Sequence, residues 1–156
     1  MKRRHHALLS GLLSAAAFLA TALPLQATLG ESEDSIDADK AAIEATDLST
    51  EVRNGCRIRV IRSDAATIRE YITPNGIIFA IAWNGLIHPD LTALLGSYAG
   101  EYRTAMERTS REPGRRRLRV QTNQVTVEKW GHMRNLQGRA YVPALIPPGV
   151  SIDEIK

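Results

Sequence analysis

The stretch that decides the fold is YITPNGIIFAIAWNGLIHPDLTALLGSYAGEY, residues 71–102. It contains a turn signal, TPNG at 73–76, in which proline presets one corner and glycine accepts a positive φ. The run IIFAIAW at 77–83 is apolar at every position, which is typical of a central strand buried on both faces. Helical spacing follows, so this stretch predicts a strand, a loop and a helix in succession.

The predicted helix extends from Asp90 or Leu91 to about Arg108, with leucines and tyrosines on one side. Gly96 and Gly100 lower its helix propensity, and we expect them where the backbone comes close to the sheet. In the strand before it, simple alternation predicts two apolar faces. One face holds Ile77, Phe79, Ile81 and Trp83, and the other holds Ile78, Ala80 and Ala82.

Strands are predicted wherever apolar and polar residues alternate. In RIRVIR (57–62), Ile58 and Val60 point one way while Arg57 and Arg59 point the other, which indicates a half-buried strand. The remaining strands are predicted in TIREYIT (67–73), RLRVQ (117–121), QVTVEK (124–129) and MRNLQGRAYVP (133–143, with a bulge at Gly138). Together these elements predict an α+β fold, a single domain whose mostly antiparallel sheet of about six strands carries one long helix on one face.

The first 27 residues, MKRRHHALLSGLLSAAAFLATALPLQA, have the features of a Sec-type secretory signal. A basic start precedes an apolar run over about 7–23, which is short for a membrane span of ~20 residues. Pro24 and Ala27 favour cleavage after Ala27, and an uncleaved membrane anchor is the alternative. We therefore expect a periplasmic or secreted protein with no membrane span after cleavage.

Removal of the signal changes the charge balance. The whole chain has 20 basic and 17 acidic residues, and the signal takes three basic residues with it, which leaves 17 of each. Residues 28–56 hold eight acids against two basic residues, whereas 57–156 hold fifteen basic residues against nine acids. An exported protein of balanced charge is not expected to bind nucleic acid.

This charge pattern also suggests the domain organisation. Residues 28–56 are interpreted as an acidic arm or short helix, with SIDADKAAIEATDLS (35–49) as the helical part and Ser35 as its N-cap. Residues 57–150 are the α+β core domain, and 151–156 are a C-terminal tail, where Ser151 has capping-box spacing to Glu154.

Cys56 is the only cysteine, so the fold has no internal disulfide. A single thiol can be a nucleophile or pair with another chain, but a small buried residue at the start of a strand is the more common case. A Cys–His–Asp hydrolase is not favoured, because the sequence has no glycine-flanked nucleophile turn.

His88, Asp90 and His132 are the candidate catalytic or metal-binding residues. The two histidines are the only ones left after cleavage, and each follows a Trp/Gly element, WNGLIH or KWGH. With Asp90 or Glu128 they would hold a metal or act as acid and base if the two turns met. No metal-ligand spacing supports this, so turn and cap residues are the alternative. No cofactor is predicted.

Arginines form the second candidate site. On one strand Arg115, Arg117 and Arg119 share a face, to which Arg57 and Arg59 would add. Such a strip suits a polyanion, here an anionic glycan or a lipid headgroup. Two alternatives stay open, since arginines also keep an edge strand solvated and the acidic arm would cover them within the same molecule.

Trp83, Asn84 and Trp130 complete the candidate ligand-binding residues. Each lies at a strand end beside Gly or Asn, where an aromatic ring is able to line a pocket. The other aromatic residues recur at core spacing and are interpreted as core.

The chain resembles the domain-of-unknown-function 2844 family, short secreted proteins of proteobacteria. The resemblance is carried by REYITPNGIIFAIAWNGLIHPDLTALLGSY (69–98) and GHMRNLQGRAYVPALIPPGVSIDEI (131–155). It implies an exported compact domain and no particular reaction. We therefore expect a non-enzymatic binding or accessory module for an envelope protein or anionic glycan, with a small enzyme or metal-binding protein using His88, Asp90 and His132 as the alternative.

Overall fold

A computed structural model describes residues 28–33, 47–62, 64–110, 114 and 116–156. These residues form seven strands, one helical segment and two short 3₁₀ turns (Pro143–Leu145 and Ile152–Glu154), which confirms the predicted α+β class with one strand more than expected. The strands are β1 (Asp47–Arg53), β2 (Cys56–Arg62), β3 (Ala66–Ile72), β4 (Ile78–Gly85), β5 (Arg117–Gln121), β6 (Thr126–His132) and β7 (Asn135–Tyr141). The helical segment comprises α1 (Leu91–Leu95), a 3₁₀ turn (Gly96–Tyr98) and α2 (Ala99–Arg108).

The seven strands form one antiparallel sheet in the order β1-β2-β3-β4-β7-β6-β5. Strands β1 to β4 form one meander and β5 to β7 a second, and the two join where β4 pairs with β7. The edge strands are therefore β1 and β5. We call the two sides the helix face, on which α1 and α2 pack, and the strap face.

Strand β1 was not predicted. It pairs with β2 from Asp47↔Arg62 to Arg53↔Cys56 through a tight turn at Asn54 and Gly55, both of which have positive φ. Two central residues with positive φ are what a two-residue hairpin with the right twist requires. Most of the helix predicted at 35–49 lies outside the described residues, and its last three positions belong to β1.

A bulge in β4 makes the predicted face assignment of IIFAIAW wrong at its start. Tyr71 pairs with Ala80 and Ile72 with Ile78, so Phe79 is an extra residue on β4. Such an insertion shifts the alternation by one position. Ile78, Ile81 and Trp83 accordingly join the core of the helix face, and Phe79, Ala80 and Ala82 join that of the strap face.

The helix was predicted correctly from 91 to 108, but it is kinked. Asp90 caps α1 by accepting a hydrogen bond from Thr92 N at 2.9 Å. Gly96 has φ +51, and a Cβ there would lie 1.8 Å from Thr28 Cγ2. Gly96 is therefore required by the contact with Thr28, not by the sheet, whereas no described residue lies close to a Cβ built at Gly100.

Residues 28–33, the start of the predicted acidic arm, pack against the rest of the fold. Leu29 is fully buried, and its N–H donates to Leu94 O at 3.0 Å. Gly30 N donates to Ile78 O at 2.8 Å, and Ile78 N donates back to Glu31 O at 3.0 Å. The segment thus joins the start of β4 to α1 and closes the helix face.

The helix face contains a buried ion pair. Arg59 Nε donates to Glu70 Oε2 at 2.6 Å, and the two side chains are 7% and 1% exposed. Burial raises the pKa of Glu70, an effect that Arg59 partly offsets. Arg57 and Arg59 therefore do not add to the predicted arginine strip, since Arg59 is buried with Glu70 and Arg57 is paired with Glu33.

The strap face is covered by the C-terminal strap, residues 143–156. Ile155 is fully buried in the core of this face. Tyr71 Oη donates to Lys156 O at 3.0 Å, and Arg139 Nη1 donates to Ile152 O at 2.6 Å. The expected tail at 151–156 is thus part of the packed structure, and the Glu154 carboxylate accepts from Asn54.

Candidate functional site

His88 is engaged in a structural contact. It lies in the loop after β4, where the indole Nε1 of Trp83 donates to His88 Nδ1 at 3.0 Å and the two rings meet edge-on at 6.2 Å. Partial burial and then the charge of Lys129 lower the pKa of His88, which favours the neutral ring that this bond needs.

Asp90 and His132 do not join His88 in a cluster. The Asp90 carboxylate caps α1, and His132 is exposed at the end of β6 with only a 3.4 Å contact from Nδ1 to Met133 O. Within the described ranges, no group of three or more His, Cys, Asp or Glu residues is placed to hold a metal ion. The geometry needed for joint catalysis or metal binding is therefore not formed by these residues.

Cys56 is the first residue of β2 and is 3% exposed. Burial, and to a smaller extent Glu154, raise the pKa of its thiol, which makes it a poor nucleophile at neutral pH. The cavity beside it is only about 10 Å³. Its lining residues are Arg53, Asn54, Cys56, Ile58, Tyr71, Phe79, Val150 and Glu154, with no histidine among them.

Trp83 and Asn84 belong to separate environments. Trp83 is 2% exposed and packs over Gly138, where a Cβ would lie 2.2 Å from its Cζ2 atom. Gly138 is therefore explained by this contact, and the bulge predicted there lies in β4 instead. Asn84 is exposed on the opposite side of β4 and accepts a hydrogen bond from Arg69 at 2.8 Å.

The other sequence candidates come together on the strap face of the second meander. Arg117 and Arg119 of β5 lie opposite Trp130 and Glu128 of β6, in a groove of about 520 Å³ that we call the arginine–tryptophan groove. Arg115 lies outside the described residues. The groove is lined by Arg117, Leu118, Arg119, Glu128, Lys129, Trp130, Gln137, Arg139, Asp153, Ile155 and Lys156.

Positive charge is in excess in this groove. Glu128 is shared by two guanidinium groups, since Arg139 Nε lies 2.6 Å and Arg119 Nε 3.4 Å from its carboxylate oxygens. Arg139 is 16% exposed and Arg119 57%. The strap adds the exposed side chains of Asp153 and Lys156. Among the described residues, four cationic side chains (Arg117, Arg119, Arg139 and Lys156) therefore line this face of the groove against two carboxylates, whereas the ammonium group of Lys129 lies over the ring of Tyr102.

Trp130 is held in a fixed orientation. Its Nε1 donates to Gln137 Oε1 at 3.0 Å, and Gln137 Nε2 donates to Asn135 Oδ1 at 2.9 Å. The guanidinium of Arg139 lies 5.7 Å from the centre of the indole ring. Because its polar edge is satisfied within the chain, the ring offers apolar surface to the groove.

Several groove residues were not identified from the sequence. Gln137 and Arg139 alternate on β7 with small residues that face the helix, and this alternation was a usable signal. Asp153 and Lys156 are different, because they reach the groove through the strap and nothing in their local sequence indicates it.

Comparison with known proteins gives a family but no function. No curated protein and no solved structure matches the chain. Among the described residues, no helix is long and apolar enough to cross a membrane. The sequence profile of DUF2844, a protein family of unknown function, matches residues 25–155. This match extends over most of the chain and includes both segments on which the resemblance was based, so the protein is a member of the DUF2844 family.

Proposed function

We propose that the protein is an exported, non-enzymatic binding module of the cell envelope and that the arginine–tryptophan groove binds an anionic ligand. The supporting observation is the excess of cationic side chains around a fixed aromatic ring. The volume of the groove, about 520 Å³, is in the range of small-molecule sites, which extends over roughly 300–1,000 Å³.

The alternative role of these arginines, keeping an edge strand solvated, applies to β5 because it is an edge strand. Protection of an edge strand requires only charged side chains on that strand. Arg139 does not fit this role, because it belongs to an inner strand and bonds both Glu128 and the strap. A site assembled from three strands and the C-terminal strap is better explained by ligand binding than by edge protection.

Retention on heparin tests the proposal. The purified protein should bind at low salt and elute as salt increases, because ions screen exposed charges. The double variant Arg117→Gln/Arg119→Gln should lose retention. The matched control is Arg103→Gln/Arg108→Gln, which removes two exposed arginines of α2 on the other side of the sheet. Equal losses in both would show that total charge, not the groove, explains binding.

The alternative that the acidic segment covers the groove arginines within the same molecule, which we call internal cover, needs a separate test. Deletion of 28–50 would remove the fully buried Leu29 and half of β1, and so would unfold the protein. Neutralisation of acids within the segment is suitable instead. The variant replaces Asp34, Asp37, Asp39 and Glu44 by the corresponding amides. Stronger heparin retention would favour internal cover, and unchanged retention would contradict it.

Export is tested by the mass of the protein in a periplasmic extract. We expect the processed chain to begin at Thr28, because the features of residues 1–27 favour cleavage after Ala27. Intact precursor in the cytosol would contradict export. Co-purification from the same extract would identify an envelope protein that binds the module.

A further inference from the structure

The groove combines cations with an aromatic ring and two carboxylates, which is more than a simple anion requires. Resting on the proposed function, we infer that its ligand is an acidic saccharide. One sugar ring packs on Trp130, and its anionic group is bound by Arg117 and Arg119. The three residues named are half-buried or exposed on the same side of the sheet.

The indole ring is the first reason for a saccharide. The Nε1 edge is used by Gln137, and Arg139 lies 5.7 Å from the ring centre, so a ligand has access to the part of the ring surface that Arg139 leaves uncovered. That surface carries partial negative charge, which attracts the C–H groups on the face of a sugar ring and repels a bare anion. Inorganic phosphate or polyphosphate would therefore gain nothing from Trp130.

The position of the arginines is the second reason. Arg117 and Trp130 are directly opposite in the β5–β6 pair, and Arg119 is opposite Glu128. Directly opposite side chains on one face have Cβ atoms ~5 Å apart, and successive pairs are ~7 Å apart along the strand. These spacings are of the order of one sugar ring. A ring on Trp130 thus places its acidic substituent within reach of a guanidinium fork, which binds carboxylate or sulfate with two parallel bonds.

The carboxylates are the third reason. Glu128 and Asp153 line the groove beside the cations. A ligand with hydroxyl groups can donate hydrogen bonds to them, since ionised carboxylates only accept. A phosphate chain has acceptors alone and would be repelled. The mixture of donors and acceptors therefore matches a polyhydroxylated acid.

Calorimetric titration with defined probes tests the inference. The probes are tetragalacturonate and a heparin tetrasaccharide as acidic saccharides, a neutral galacto-oligosaccharide of the same length, and polyphosphate. We expect both acidic saccharides, or one of them, to bind at least about tenfold more tightly than the neutral saccharide and polyphosphate, which corresponds to ~1.4 kcal/mol. Binding of tetragalacturonate would show that a carboxylate is sufficient, whereas binding of the heparin tetrasaccharide alone would show that sulfate is required.

Variants at Trp130 provide the specific readout. Trp130→Leu should weaken the acidic saccharide about tenfold, because truncating an aromatic anchor in a binding site commonly has such an effect. Trp130→Phe should restore much of the affinity, since the ring is retained. Circular dichroism and thermal unfolding of each variant confirm that the protein remains folded.

The outcomes separate this inference from the proposed function. If polyphosphate binds as tightly as the acidic saccharides and Trp130→Leu has no effect, the saccharide inference is wrong while anion binding by the groove stands. If neither probe class binds and heparin retention survives Arg117→Gln/Arg119→Gln, both are wrong.

Discussion

The two faces of the sheet differ in how they are closed. The helix face is sealed by α1, α2 and residues 28–33, and even its charged pair is removed from solvent, with Glu70 1% exposed. The strap face is covered over the first meander by the C-terminal strap, whereas over the second meander the described residues leave it open as the arginine–tryptophan groove.

Two ion pairs show what this difference means. Arg59 and Glu70 are directly opposite on β2 and β3, just as Arg119 and Glu128 are directly opposite on β5 and β6. The first arginine is 7% exposed and the second 57%. The strand patterns are alike, so the cover contributed by distant segments decides whether an arginine has a structural role or is available to a ligand.

The largest expected effect comes from breaking the buried pair. Glu70→Leu leaves the Arg59 charge buried without its partner and should lower the free energy of unfolding by about 3–5 kcal/mol. Glu128→Leu breaks a less buried pair, since Glu128 and Arg139 are each 16% exposed, and should cost less, about 1–3 kcal/mol. Chemical denaturation measures both.

The double variant Arg59→Met/Glu70→Leu is the control for this first prediction. Apolar side chains of similar volume should recover most of the stability, because replacing both partners of a buried pair is often neutral. A single Glu70→Leu variant as stable as the wild type would show that the helix face is not sealed.

Opening the strap should have the next largest effect. Ile155→Ala removes a fully buried side chain and should cost about 3 kcal/mol. The buried thiol of Cys56 should then react faster with a disulfide reagent in the native protein. Ile152→Ala, at a 37% exposed position of the same strap, is the control and should change neither quantity much. Equal thiol reactivity in the two variants would contradict the role of the strap as a cover.

Tight packing on the helix face predicts a smaller effect. Gly138→Ala places a Cβ against the ring of Trp83 and should cost about 2 kcal/mol. Gly100→Ala is the matched change in open space on α2, and it should stabilise the protein by ~1 kcal/mol through helix propensity. Thermal unfolding compares the two variants, and a shift of the unfolding temperature in the same direction for both would be inconsistent with this packing.

The smallest expected effect is a pH dependence at His88. The pKa of His88 is lowered in the folded protein, so the neutral ring stabilises the fold at pH values above the usual pKa of ~6.5. This contribution is lost as the pH falls through the lowered folded-state pKa, because protonation of Nδ1 breaks the bond from Trp83. Denaturation midpoints between pH 7.5 and 5 measure the loss.

His88→Gln is the informative variant for this prediction, since a glutamine accepts the same bond without titrating. Its stability should decline less on acidification than that of the wild type, whereas the exposed control His132→Gln should follow the wild type. Parallel curves for wild type and His88→Gln would contradict the assignment.

Periodicity predicted the fold class because apolar alternation and helical spacing are local signals. It missed β1, since DLSTEVR is acidic and the adjacent alanine-rich sequence favours a helix. It also missed the Phe79 bulge, which depends on pairing with Tyr71 and Ile72. Arg59 was assigned to the arginine strip, but it is buried by segments that are distant in the sequence.

The candidate groove could be predicted only in part. Arg117, Arg119 and Trp130 stood out by residue type, but their proximity depends on the register of β5 with β6. Arg139, Asp153 and Lys156 are brought in by long-range packing that no local pattern encodes. Conversely, His88, Asp90 and His132 stood out as a set but do not form one: His88 accepts from Trp83, Asp90 caps α1, and His132 is exposed.

The central position of β4 has a consequence for how the chain assembles. Its pairing with β7 joins residues as far apart as Ala80 and Tyr141, so this edge must wait for almost the whole chain to be synthesised. Contacts distant in sequence form slowly, and an unpaired strand that is apolar on both faces is prone to aggregation in the meantime. A partly synthesised chain therefore exposes the unpaired edge of β4. We expect this strand to be the segment that depends most on a chaperone.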